Sequence, residues 1–91
     1  MLDTTRQKTK LLNRTRGMRG QFEALKRSLE KDVPCSEVLQ LIAGIRGALN
    51  GLMAEVLEDH VRLHVADPAL HPDRRRNGAD ELIEVVRTYL K

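Results

Sequence analysis

A chain of 91 residues with one Tyr, one Phe and no Trp has a small aliphatic core, which favours a single all-α domain over a sheet protein. It has no signal peptide and no apolar run near the roughly 18 residues of a membrane span, so we expect a cytoplasmic protein that does not enter the membrane. The net charge is +3, and the single Cys excludes an internal disulfide. A chain this small is expected to complete its core by self-association.

The first predicted helix spans about residues 5–31 and carries most of the positive charge. Its apolar stripe has helical spacing and consists of Leu11, Met18, Phe22, Leu25 and Leu29. Residues 1–31 contain nine Lys or Arg against three acidic residues, a net charge of +6. Five of these cations fall within twelve residues, namely Lys8, Lys10, Arg14, Arg16 and Arg19. Because like charges repel, this segment predicts a polyanionic partner.

The second predicted helix, about residues 34–65, is the longest element. We expect Asp32 to be its N-cap and Pro34 to lie in its first turn. Its apolar positions recur at three- and four-residue steps, at Val38, Leu41, Ile42, Ile45, Leu49, Leu52, Val56 and Leu57. Such a helix is on the order of 45 Å long, which is more than a chain of this size can cover. We therefore expect a second copy to pack against it in an antiparallel four-helix-bundle dimer.

Three glycines lie inside this second helix, at Gly44, Gly47 and Gly51. Each costs about 0.5–1 kcal/mol relative to Ala in a helix interior. Their recurrence predicts that another backbone packs close to this stretch. The alternative is that the helix merely tolerates them.

The third predicted helix is a short covering element at about residues 79–90. The second helix is expected to end at Ala66-Asp67-Pro68, because the residue before a proline disfavours the α conformation. The polar segment from Pro68 to Gly78 predicts a loop, and Asn77 or Asp80 can cap the helix that follows. The narrow apolar stripe of that helix consists of Leu82, Ile83, Val86 and Leu90.

One thiol and two imidazoles are the candidate chemical groups of the second helix. His60 and His64 are four residues apart, a spacing that lets two imidazoles hold one metal ion. Cys35 lies on the order of 37 Å away along the helix, so the three cannot meet within one chain. In an antiparallel pair, the thiol of one copy lies beside the imidazoles of the other. Taken singly, a buried structural Cys or an incidental His pair is the alternative, and His71 is expected to be a solvated loop residue.

Three segments of the sequence resemble a known family, namely NRTRGMRGQFEALKRSLE, then Cys35, then LQLIAGIRGALNGLMAEVLEDH. They are similar to the CsoR/RcnR/FrmR family of bacterial metal- and formaldehyde-responsive transcriptional repressors. The resemblance implies three helices, antiparallel dimers that pair into tetramers as a dimer of dimers, and operator binding without a helix-turn-helix. It also implies that the metal-free protein represses a gene, often for an efflux pump, and that effector binding releases the DNA.

The branches of this family differ at the site residues. The nickel- and cobalt-sensing branch has Cys, His and His at the positions of Cys35, His60 and His64, together with an N-terminal His where this chain has Asp3. Asp3 or the amine of Met1 is the replacement candidate, and a four-coordinate site becomes more plausible. The donor set suits Ni(II), Co(II), Zn(II) or Cu(II) and does not suit Mg or Ca. The resemblance therefore implies Ni(II) or Co(II) as effector, with Zn(II) a further candidate.

The other branches fit less well. The copper branch has Cys at the position of His64, which disfavours Cu(I), and the persulfide branch needs two cysteines. The formaldehyde branch pairs an N-terminal Pro with the thiol and usually has Glu at position 64, where this chain has Leu2 and His64. A formaldehyde-responsive repressor with Cys35 as nucleophile remains the alternative. We do not expect an enzyme, because no general acid–base pair or phosphate loop is found.

For DNA contact the resemblance implies Arg14, Arg16 and Arg46, and the charge count already favours the first two. Gly17 departs from a position that is often cationic in relatives, and Arg19 is expected to compensate for it. Such residues contact phosphates, so operator binding should weaken steeply as salt rises.

Overall fold

The computed structural model describes residues 5–90, which form three α-helices. These are α1 at Thr5–Glu30, α2 at Cys35–His64 and α3 at Pro72–Tyr89. The prediction of a three-helix, all-α protomer is confirmed, and the bounds expected for the first two helices agree to within about one residue. No helix within this stretch is both long enough and apolar enough to cross a membrane. Residues 5–53 and residues 54–90 form two compact units.

In residues 5–53, α1 ends in a left-handed turn. Asp32 has a φ of 54°, and the backbone N–H of Val33 donates to the carbonyl of Ser28 at 3.4 Å. This is the six-to-one hydrogen bond of a Schellman C-cap, with Asp32 at the left-handed position. The expectation that Asp32 caps the start of α2 was wrong, because its conformation closes the preceding helix. The first turn of α2 instead uses the carbonyl of Pro34, which accepts from the N–H of Glu37 at 3.0 Å.

The same unit is an antiparallel hairpin whose register can be read from two glycines. A Cβ added to Gly44 would lie 3.6 Å from Nε2 of Gln21, and one added to Gly51 would lie 2.8 Å from Nη1 of Arg14. Residues whose numbers sum to about 65 therefore lie at the same level of the two helices. The neighbours of these glycines are side chains, and Gly47 has no such neighbour within 4 Å in the described part of the chain. Within the protomer, the expected close approach of a second backbone at these glycines was therefore wrong.

The hairpin has a small core and a large apolar surface. Leu11 and Ile45 are its buried apolar side chains, at 8% and 7% exposure. Most of the apolar stripe expected from the sequence is solvent-exposed in the protomer, at Leu12, Phe22, Leu29, Leu39, Ile42, Leu49 and Met53. Removing such side chains from water contributes about 25 cal/mol per Å², so a partner that covers these residues would gain considerable stability.

In residues 54–90, the turn between α2 and α3 is short and strongly hydrogen-bonded. The N–H groups of Val65 and Ala66 both donate to the carbonyl of Val61, at 3.1 and 2.7 Å, and close the last turn of α2. Oδ1 of Asp67 then accepts from the N–H of Ala69 at 2.9 Å, which is an Asx turn. The chain is thereby reversed within a few residues of the end of α2.

The third helix begins seven residues before its expected start, at Pro72 and not at Ala79. His71 is its N-cap, and Nδ1 of His71 accepts from the backbone N–H of Asp73 at 3.1 Å. Proline is well tolerated at the first position of a helix, because its missing N–H has no intrahelical partner there. The expectations of a loop up to Gly78 and of a cap at Asn77 or Asp80 were therefore wrong. His71 is exposed, as expected, but it has the structural role of a cap.

Candidate functional site

The two candidate imidazoles lie on the last two turns of α2. The ring centroids of His60 and His64 are 5.1 Å apart, and the ring planes are inclined at 45°. Both side chains are half-buried. The helical spacing thus brings two nitrogen-bearing rings together on one side of the helix, as the sequence predicts.

Gly78 of α3 contacts both members of this pair. Its carbonyl oxygen lies 2.8 Å from Nε2 of His60. Gly78 is itself buried, and a Cβ added there would overlap the carbonyl group of His64. Here the backbone of α3 approaches the backbone of α2 so closely that no other residue type fits without displacing one of them. The sequence analysis missed Gly78, since it was interpreted as the end of a loop.

Two arginines stabilise the surroundings of the pair. Nε of Arg75 donates to the carbonyl of Val65 at 2.9 Å, just beyond the last residue of α2. A cation there also interacts favourably with the negative end of the helix dipole. Arg62 forms an exposed ion pair with Glu58 at 2.8 Å on α2 itself, which contributes little to stability. The Arg75 contact adds a second link between α3 and the C-terminal end of α2.

Asp59 is a buried carboxylate beside the imidazole pair along the chain, with 9% exposure. The sequence contains a signal for it, because Leu52, Val56, Asp59 and Leu63 follow one another at three- and four-residue steps. An acidic residue in an apolar helical row is unusual, since burying a charge is costly unless it is paired. The sequence analysis had passed over this position.

The thiol of Cys35 belongs to the other unit, residues 5–53. It is free and exposed at the first residue of α2, where it lines a shallow surface depression with Leu29, Val33, Val38 and Leu39. Because Cys35 and the imidazole pair occupy opposite ends of the continuous helix α2, they stand far apart along it. Among residues 5–90, no three His, Cys, Asp or Glu side chains come together to hold a metal ion. Asp3 lies outside the described residues.

The four candidate DNA-contacting arginines are all exposed and all lie in the α1–α2 hairpin, at Arg14, Arg16, Arg19 and Arg46. Nη1 of Arg16 donates to Oδ1 of Asn13 at 2.8 Å, and the guanidinium of Arg14 lies against Gly51. The register of the hairpin puts Arg46 at about the level of Arg19, because these numbers also sum to 65. The arginines that are separated in the sequence thus belong to one hairpin.

Comparison with known proteins identifies similar chains along the whole length. A family model described as "metal-sensitive transcriptional repressor" matches residues 7–88. An uncharacterized protein of Serratia marcescens, encoded in the bioA 5' region, is 50% identical over 91 residues, which is all of both chains. The transcriptional repressor RcnR of Salmonella paratyphi B is 42% identical, again over the full length of both.

A solved structure resembles the fold as well as the sequence. It is that of a Glu-to-His variant of the formaldehyde-responsive regulator FrmR from Salmonella enterica serovar Typhimurium. The similarity covers 96% of this chain and 98% of that one, with a TM-score of 0.88 and 41% sequence identity. Both the arrangement of the three helices and the sequence are therefore shared with a characterised regulator.

Proposed function

Because the chain belongs to the family of metal-sensitive transcriptional repressors, we propose that it binds operator DNA when metal-free and releases it on binding Ni(II) or Co(II), with Zn(II) a further candidate. Release would derepress a metal efflux gene. Transcriptional repressors are not enzymes, so the function lies in two coupled binding equilibria. We further propose that the protein acts in the cytoplasm, where operator DNA is found.

The observation that carries this proposal is the half-buried imidazole pair of His60 and His64, with ring centroids 5.1 Å apart. Two imidazoles at this spacing are half of a metal site and need at least one further donor. In our proposal the thiolate of Cys35 from a second copy supplies it, and Asp3 is a tentative fourth ligand. One thiolate and two imidazoles suit borderline ions such as Ni(II), Co(II) and Zn(II). A bound ion would link two protomers at these residues.

Self-association is required by this proposal and is favoured by the exposed apolar surface of the hairpin. Phe22 and Leu29 on α1 and Leu39 on α2 are each more than half exposed, at 54%, 59% and 64%. Large exposed apolar patches on a soluble chain usually mark an interface. We propose an antiparallel dimer of α2 helices and a tetramer made of two such dimers. Two equivalent sites then form across each dimer.

The DNA surface in this proposal is the basic hairpin, with Arg14, Arg16, Arg19 and Arg46 contacting phosphates. Exposed guanidinium groups bind phosphate oxygens in a bidentate manner and release condensed counterions from the duplex. Such contacts supply affinity and register without reading bases. The metal site and the DNA surface would be coupled because α2 carries residues of both.

The test is a pair of linked titrations under anaerobic conditions. Ni(II), Co(II) and Zn(II) affinities are measured by the thiolate charge-transfer absorption, with and without operator DNA. A coupling of about 1–3 kcal/mol is expected, and by linkage the operator must weaken metal binding by the same factor as the metal weakens operator binding. Equal metal affinities in the presence and absence of operator would contradict a metal-responsive repressor.

A second candidate function is a formaldehyde-responsive repressor. It is favoured by the similarity to FrmR and by the exposure of the Cys35 thiol. In this reaction the sulfur adds to the aldehyde carbon to give S–CH₂–OH, and condensation with an amine then releases water and leaves a methylene bridge. Intact-mass spectrometry of the wild type and of Cys35→Ala after formaldehyde treatment tests it. Absence of a Cys35-dependent adduct removes this candidate.

A further inference from the structure

We infer that Gly78 is the positioning residue of the imidazole pair, because its carbonyl oxygen leaves only Nδ1 of His60 able to bind an effector. This inference rests on the proposed metal-binding function, and it adds which atom of His60 is the ligand and which element selects it. It also assigns α3 a role at the site beyond covering the core.

The first step concerns the proton on the ring. The Nε2 atom of His60 lies 2.8 Å from the carbonyl oxygen of Gly78, which is a good hydrogen-bond distance. A carbonyl oxygen only accepts, so Nε2 has to carry the hydrogen. In the neutral ring the lone pair is then on Nδ1. The hydrogen bond therefore selects one of the two tautomers of His60.

The second step concerns why this carbonyl stays in place. Gly78 is buried against the carbonyl group of His64, where a Cβ has no room. The start of α3 is held by the His71 cap and by the hydrogen bond from Arg75 to Val65. A carbonyl oxygen has two lone pairs, so that of Gly78 can accept from His60 and still take part in the helix. The acceptor is thus fixed by three separate contacts.

The third step is the consequence for binding. A histidine that ligates a metal usually donates its other ring N–H to a carboxylate or a backbone carbonyl, which orients the ring and makes the ligating nitrogen more basic. Loss of such a partner typically weakens metal binding by about 10–100-fold. Because the partner here belongs to α3, the docking of α3 on α2 and effector binding at His60 should strengthen each other.

The direct test is ¹⁵N NMR of the imidazoles in the metal-free wild-type protein, which distinguishes a protonated from an unprotonated ring nitrogen. We expect Nε2 of His60 to be the protonated atom. An Nδ1–H tautomer for His60 overturns the inference, while leaving the proposed metal-responsive function intact. Absence of any Co(II) binding by the wild type would instead refute the proposed function, whichever tautomer is observed.

A pair of glycine variants tests the role of Gly78. In Gly78→Ala the new Cβ pushes α3 away from His64, and Co(II) affinity should fall about 10–100-fold. Gly47→Ala is the control, because no atom of the described chain outside its own helix lies within 4 Å of the added Cβ, and Co(II) affinity should stay at the wild-type value. A folded Gly78→Ala protein that binds Co(II) as the wild type does would overturn the inference.

Two variants at His60 keep the test decisive if Gly78→Ala does not fold. The side-chain amide nitrogen of Gln occupies nearly the place of Nε2, and that of Asn nearly the place of Nδ1. His60→Gln should therefore keep the contact with Gly78 and the slow hydrogen exchange of the α3 amides. His60→Asn should lose both, and each variant should lose Co(II) affinity. Equal exchange rates of α3 in the two variants would contradict the assignment.

Discussion

The carbonyl oxygen of Gly78 and Nε2 of His60, 2.8 Å apart, join the third helix to the imidazole pair on the second. The two residues are 18 positions apart in sequence, and each lies within a regular helix. The candidate effector site is therefore more than a pair of side chains on one helix surface. Its geometry depends on where α3 begins and on how closely that helix approaches the end of α2.

The start of α3 can be tested at His71. His71→Ala removes the side-chain acceptor for the N–H of Asp73, and we expect a loss of about 1 kcal/mol in the free energy of unfolding. His71→Asn restores a short acceptor that is favoured at N-caps, and it should recover most of that loss. Urea denaturation followed by circular dichroism measures both. Equal stability of the Ala variant and the wild type would show that the cap contributes nothing.

The turn between α1 and α2 offers a stabilising change. Asp32 has a φ of 54°, in the left-handed region that glycine adopts at little cost. Asp32→Gly should raise the free energy of unfolding by about 0.5–1 kcal/mol, because it removes the steric cost of a side chain there. Asp32→Val should lower it, since a β-branched residue fits this conformation poorly. Thermal unfolding compares them, and a Val variant more stable than the Gly variant would contradict the assigned C-cap.

The proposal that the metal site is shared between two copies has a decisive complementation test. Cys35→Ala keeps the imidazole pair and His64→Ala keeps the thiol, so neither homodimer should show the Co(II) thiolate charge-transfer band. In a mixed dimer, the thiol of the second variant meets the imidazole pair of the first, and one of the two sites is intact. We expect the band to appear only after the variants are unfolded together and refolded. A band that never returns on mixing would exclude a shared site.

The proposed DNA surface can be tested by the salt dependence of operator binding. Arg16→Gln and Arg46→Gln each remove one proposed phosphate contact, so the slope of log K against log salt should become shallower by about 0.9 per residue. Arg87→Gln removes the same charge from the last turn of α3 and is the matched control, with an unchanged slope expected. Fluorescence anisotropy at several salt concentrations measures the slopes. An equal change in all three variants would indicate a general charge effect without specific contacts.

Much of the fold followed from local patterns. The 3.6-residue recurrence of apolar side chains from Leu11 to Leu29 and from Val38 to Leu57 predicted α1 and α2 closely, because each is long enough for the period to be unambiguous. The spacing of His60 and His64 placed the two rings together for the same reason, since residues four apart lie on one side of a helix. The concentration of arginines in the first helix was likewise visible without a structure.

The third helix and the surroundings of the imidazole pair were decided by tertiary structure. Pro72 and Gly78 are loop signals on average, and a local reading cannot tell that His71 caps a helix through its ring nitrogen. Gly78 costs about 1 kcal/mol in a helix interior relative to Ala, and the residue that makes this acceptable is His64, fourteen positions earlier. Periodicity within a helix is a short-range property, so the sequence by itself determined which segments are helical and what donors they carry. The contact between Gly78 and the two histidines is long-range, and only the packing of α3 against α2 determined it.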